Sequence, residues 1–140
     1  LSIRRQRQMC IRDRLRACHR PEVRPTLGVR PEIDLLTRTK DGVRLAPAGI
    51  VEDLMAGFGR VGLTATEGAA YQLVAGTQTW RFVSRYPEQL LCLEVRRDLL
   101  VEEYTALSAM RVREDAVDRI AGPLSEAIGR WMDRRAAAAG

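Results

Sequence analysis

Gln89-Leu90-Leu91-Cys92-Leu93-Glu94-Val95 is the most strand-like stretch of the chain. Its central residues are apolar at consecutive positions, so both faces of the strand want cover, the pattern of a parallel strand in mid-sheet with helices on either side. One residue breaks the run. Glu94 puts a carboxylate where burial is otherwise favoured, and Arg96, Arg97 and Asp98 follow at once. In open α/β sheets ligands bind beyond the carboxyl ends of the strands, which places Glu94 at the working edge. A carboxylate partly desolvated there has a raised pKa and can act on water as a general base. The same pattern also reads as a strand-end residue paired with a neighbouring arginine.

Working upstream, Ile33-Asp34-Leu35-Leu36-Thr37 is a short strand followed by the turn signal Lys40-Asp41-Gly42. From Ala46 the period lengthens. Pro47 suits a first helical turn, and Ile50, Val51, Leu54, Met55 and Phe58 recur at three- and four-residue intervals up to Gly59, which predicts an amphipathic helix. Residues 61–66 read as a second strand. The segment from Glu67 to Gly76 is rich in glycine and alanine, and Thr77 to Val83 fits either a short strand or a helical turn. Residues 15–32 read as a proline-rich loop.

Downstream, Val112, Ala116, Val117, Ile120, Leu124, Ala127, Ile128, Trp131 and Met132 hold one helical face. Gly122-Pro123 interrupts it while the stripe stays in phase, which predicts a kink or two abutting helices, with Ala136–Ala139 as a frayed tail. Strand, helix, strand, strand, helix in this order indicates an α/β layered sheet, of which the chain carries a carboxy-terminal half.

Composition limits the classes. The 140 residues carry a formal charge of +5, 46% hydrophobic residues and three cysteines at positions 10, 18 and 92. That length holds one core, without an apolar run long enough for a membrane span or a cysteine pattern for a disulfide or zinc-ribbon framework. The basic balance points first to nucleic acid. Its distribution argues otherwise: residues 1–14 hold five arginines against Asp13, leaving +1 for the remainder. Arg4-Arg5-Gln6-Arg7-Gln8-Met9-Cys10-Ile11-Arg12-Asp13 resembles the in-frame translation of a transposon-based sequencing adapter. Residues 1–14 are therefore expected to be an artefactual, disordered tail, and residues 15–140 the carboxy-terminal part of a single hydrolase domain whose amino-terminal portion is missing. No nucleic-acid or membrane partner is expected.

Glu94-Val95-Arg96-Arg97-Asp98-Leu99-Leu100-Val101-Glu102-Glu103 resembles the carboxy-terminal signature of the N-formylglutamate amidohydrolase family, in which a strand ends in Glu-(Ile/Val)-(Asn/Arg)-(Arg/Asn) and enters a Leu-rich, acidic turn. The preceding order of strand, Asp41-Gly42, helix and strand is similar too, so the resemblance covers roughly residues 19–135. It implies a truncated three-layer zinc carboxypeptidase-like (phosphorylase/hydrolase-like) sheet flanked by helices, in a cytoplasmic bacterial enzyme holding one zinc ion. It implies hydrolysis of the amide of a small N-acyl (formyl) amino acid by metal-activated water, this truncated chain itself being inactive. Glu94 is then the general base, and Arg97 orients a substrate carboxylate or stabilises the oxyanion. Arg96 is expected to face the other way.

The same resemblance makes His19, the chain's one histidine, the third zinc ligand, although Arg20 stands where the family has Ser. A histidine in a proline-rich loop also reads as exposed and unliganded. Tyr71 faces substrate or packs beneath a loop, since Thr66-Glu67-Gly68-Ala69-Ala70-Tyr71 departs from the family's Asn-x-Pro-Tyr-x-Gly pattern. Cys92 reads as a small hydrophobe, and Trp80 and Trp131 as packing residues. The competing reading is a non-catalytic α/β module that binds an acidic partner or nucleic acid through Arg81, Arg85, Arg96, Arg97, Arg111 and Arg113 on one shared face.

Overall fold

The computed structural model describes residues 30–70, 72–104 and 109–140. The adapter-like tail 1–14, most of the proline-rich loop, His19 and Tyr71 lie outside the described residues. The fold is that of the unit Pro31–Gly140. Its elements are β1 (Ile33–Leu36), α1 (Ile50–Arg60), β2 (Ala65–Glu67), α2 (Gln78–Arg85), β3 (Cys92–Val95), a 3-10 turn at Arg97–Leu100, and α3 (Glu114–Ala139). The result is a mixed α/β fold around a three-stranded sheet of order β2-β1-β3.

β1 pairs in parallel with β2, Ile33 opposite Ala65 and Asp34 opposite Thr66. On its other side β1 runs antiparallel to β3, Ile33 opposite Val95 and Asp34 opposite Glu94. Alternation along β1 divides the apolar side chains between two clusters. Ile33 and Leu35 meet Ile50, Val51, Leu54 and Phe58 of α1 and Ile120 and Ala127 of α3. Leu36 meets Leu73 and Val83, with Trp80, Leu90 and Cys92 packed around them. Each fully buried aliphatic or aromatic side chain contributes roughly 1.5–3 kcal/mol, so the larger first cluster dominates the stability.

β3 is where the structure corrects the sequence reading. It is antiparallel to β1 and lies at an edge of the described sheet rather than in its middle. Both its faces are nonetheless apolar for the expected reason. Leu91, Leu93 and Val95 pack on the first cluster while Leu90 and Cys92 pack on the second. Cover on both faces does not fix strand direction or position.

The helix borders also move, with local causes. Leu45 and Ala46 donate their N–H groups to the Thr37 carbonyl, at 2.9 and 3.3 Å, which ties them to the end of β1. Gly49 takes a left-handed conformation as the cap (φ 81), so α1 begins at Ile50 and Pro47 precedes it. At the other end the stop is Gly62 rather than Gly59. Gly62 at φ 68 lets Leu63 N–H reach the Phe58 carbonyl at 2.9 Å and Gly62 N–H the Gly59 carbonyl at 3.1 Å, a Schellman closure. That turn consumes residues 61–63 and shortens β2 to three residues. α2 resolves the ambiguity at 77–83 as a helix capped by Thr77, whose hydroxyl accepts from Trp80 N–H at 3.1 Å.

α3 runs unbroken from Glu114 through Pro123 to Ala139, so the abutting helices and frayed alanine tail are not observed. Its buried residues Ala116, Ile120, Pro123 and Ala127 follow helical spacing and lie towards α1. Charged groups flank the contact. Asp53 bonds Arg130 and Arg134 at 3.2 and 2.6 Å, and Arg60 bonds Glu126 at 2.7 Å. Arg119 closes the α1 terminus by donating to the carbonyls of Val61 and Gly62 at 2.8 and 3.0 Å.

Candidate functional site

The two registers of β1 set Thr66, Asp34 and Glu94 in one row across the three strands. Directly opposed residues project to the same face. Here it is the face away from α1 and α3, since neighbouring Ile33 and Leu35 point into the first cluster. Arg96 N–H donates to the Glu32 carbonyl at 2.8 Å. Two residues on, Asp34 and Glu94 therefore form a hydrogen-bonded pair of the ladder, with Cα atoms about 5.5 Å apart.

The two carboxylates differ in surroundings. Glu94 is exposed, so the desolvation expected for it is not what its position shows. Asp34 is 2% exposed. A buried carboxylate is tolerated only with hydrogen-bond donors around it, and the described residues give Asp34 three. One oxygen accepts from the Thr66 hydroxyl at 2.9 Å and from Ala69 N–H at 2.9 Å. The other accepts from Ala70 N–H at 2.8 Å. Gly68, at φ 64, turns the chain, and its N–H extends the ladder to the Leu35 carbonyl at 2.9 Å. The segment after β2 is thereby folded onto the polar row. Sequence reasoning passed over Asp34; its signal was an acid inside a four-residue apolar strand.

Because β3 opposes β1, the end of β3 lies beside the beginning of β1. Glu94 is thus not beyond the carboxyl ends of the parallel pair, as expected from sequence. Those ends carry a separate polar group. The Thr37 hydroxyl donates to Glu67, which also accepts from Arg38 at 3.2 Å. The Thr37 hydrogen bond, helped by the charges of Arg44 and Arg38, holds the Glu67 carboxyl below its usual range. This group anchors β2 to β1 across the sheet.

The two arginines after β3 part ways. Arg96 bonds Asp98 at 2.7 Å and pairs with Glu32 at 3.7 Å, its side chain 18% exposed. Arg97 opens the 3-10 turn, is half-buried, and forms no ion pair among the described residues. An exposed carboxylate and a guanidinium without an ion pair among the described residues thus stand three residues apart in sequence.

Among the described residues no three His, Cys, Asp or Glu side chains gather as a metal-binding group. Cys92 is half-buried, and burial pushes its thiol upward, which keeps it protonated near neutral pH. The arginines of the competing reading are largely engaged. Arg111 pairs with Glu102 at 3.9 Å, Arg113 with Asp115 at 2.5 Å, and Arg85 lies 5.7 Å from the Tyr86 ring. The open groove beside them, lined by Glu102, Arg111, Val112, Arg113, Glu114 and Asp115, has mixed charge and offers no basic stripe for an acidic partner. Trp131 packs on the first cluster, with the Arg135 guanidinium 5.0 Å from its ring.

Compared with known proteins, the chain matches no family model, no curated protein and no solved structure.

Proposed function

We propose that residues 15–140 belong to an amidohydrolase acting on a small N-acyl amino acid, with Glu94 as the general base. The observation that carries the reading is the placement of Glu94: exposed, on the sheet face away from α1 and α3, opposite the Asp34 that holds residues 69 and 70, and three residues before Arg97. In this reading Glu94 takes a proton from a water molecule as the water attacks the amide carbonyl. It then returns that proton to the departing amine, so acyl acid and amino acid leave without a net change in the enzyme. Arg97 pairs with the substrate carboxylate, an interaction a guanidinium makes with two parallel hydrogen bonds. Tyr71 is the remaining substrate-facing candidate, carried by sequence resemblance.

Zinc, with His19 among its ligands, enters the proposal on the sequence resemblance alone. The described residues do not make up a donor set that fits the ion, and no step above is routed through it. The three-layer zinc carboxypeptidase-like arrangement and the cytoplasmic location stand on the same ground; the structure contributes a mixed α/β sheet and no described helix long and apolar enough to cross a membrane.

The test is release of formate from N-formyl-L-glutamate, measured with and without added zinc on protein that carries residues 15–140. Turnover is expected with zinc, and Glu94→Gln should lower it about 10²–10⁴-fold, the usual worth of a general base. Near-normal turnover by the Gln variant removes Glu94 from the chemistry.

A further inference from the structure

We propose that Asp34 is a positioning residue of this site: its carboxylate pins the Ala69–Ala70 backbone to the sheet face that carries Glu94, and so fixes one side of the site for the N-acyl amino acid. The inference rests on the amidohydrolase reading for the identity of the ligand, and on geometry alone for the clamp.

An acid within β1 is costly for folding. All four β1 residues are buried, and an apolar side chain at position 34 would satisfy the strand pattern equally well. The carboxylate does one thing an apolar residue cannot. It accepts from the Thr66 hydroxyl, from Ala69 N–H and from Ala70 N–H, at 2.9, 2.9 and 2.8 Å. Two consecutive backbone N–H groups converging on one side chain fix the path of that backbone. Charge on the acceptor strengthens each bond. Asparagine cannot replace it in kind, because one of its two terminal atoms is itself a donor and would confront an N–H.

The clamp also sets a distance. Asp34 is the cross-strand neighbour of Glu94, so a segment held over Asp34 lies one strand spacing, about 5 Å, from the row position of Glu94.

The experiment is amide hydrogen exchange by NMR on the ¹⁵N-labelled full chain, with N-formyl-L-glutamate as probe ligand. In Asp34→Asn the amide oxygen should stay with the two donors at the first position. Ala70 N–H is expected to exchange at least about tenfold faster while Ala69 keeps its protection. The Leu63 N–H, bonded to the Phe58 carbonyl away from the clamp, reports general destabilisation and should not change. The probe should shift the amides of 68–70 and Arg97 in the wild type and bind at least about fivefold more weakly to the Asn variant. Should that variant fail to fold, Ala70→Pro removes a single donor, leaves β1 intact and is expected to weaken the probe equally. Unchanged exchange at Ala70 overturns the clamp. Lost protection with unchanged probe affinity overturns the positioning role. A wild type that ignores the probe while showing the exchange pattern overturns the ligand and the amidohydrolase reading, and leaves the clamp in place.

Discussion

Gly57 of α1 meets Pro123 of α3 so closely that a Cβ added to residue 57 would lie 3.1 Å from the Pro123 Cβ. Two irregular choices for a helix interior, a glycine and a proline, face each other across the main helix contact. Each costs helix stability, and together they let α1 and α3 approach.

Replacing Gly57 tests that contact. Gly57→Leu forces a branched side chain into filled space and should destabilise by about 1–3 kcal/mol in urea unfolding. Gly57→Ala is milder, since a helix-propensity gain of about 1 kcal/mol opposes the tight contact. Equal midpoints for the Leu variant and wild type would show that the helices do not meet there.

Asp53 provides a pH signature. The hydrogen bond from Arg134 is the largest cause holding its carboxyl below the usual range, with the Arg134 and Arg130 charges adding to it. A carboxylate with a lowered folded pKa adds stability above its unfolded value and loses it as pH falls through the folded one. The wild type should therefore exceed Asp53→Asn by a constant amount from neutrality to about pH 5, and the gap should close below about pH 4. The half-open position of these arginines limits the gap to about 1 kcal/mol. Urea midpoints across that range check it; a gap that widened with acid would contradict the assignment.

Arg96 and Arg97 should separate fold from ligand. Arg96→Ala takes the part-buried guanidinium from Asp98 and leaves Glu32 only its bond from Thr64 N–H, and should cost about 1 kcal/mol or more in unfolding. Arg97→Ala should leave the urea midpoint within about 0.5 kcal/mol and weaken N-formyl-L-glutamate at least about tenfold. Matching effects from both variants would remove Arg97 from the proposed site.

What the sequence disclosed follows from the range of each signal. The α1 stripe is local, and Ile50, Val51, Leu54 and Phe58 are buried as their spacing required. Met55, at the margin of that stripe, is 40% exposed. The end of α1 is not legible in the sequence because two glycines are available and either can take a positive φ; Gly62, at φ 68, is the one that closes the turn. The direction of β3 could not be read, since both directions bury the same alternating residues. Glu94 stood out because it interrupts an apolar run. Asp34 interrupts one as well, but its partners Ala69 and Ala70 come more than thirty residues later, and no local pattern announces them.

The hold of β1 on the chain after β2 also bears on how such a pocket can diversify. Leu35 and Asp34 between them secure residues 68, 69 and 70 in succession. An insertion between Glu67 and Gly68 would put all three bonds out of step, whereas extra residues beyond Ala70 would leave each one made. Length variation among descendants of this chain is thereby steered to one side of the site, where new loops can change what is bound without disturbing the sheet that binds it.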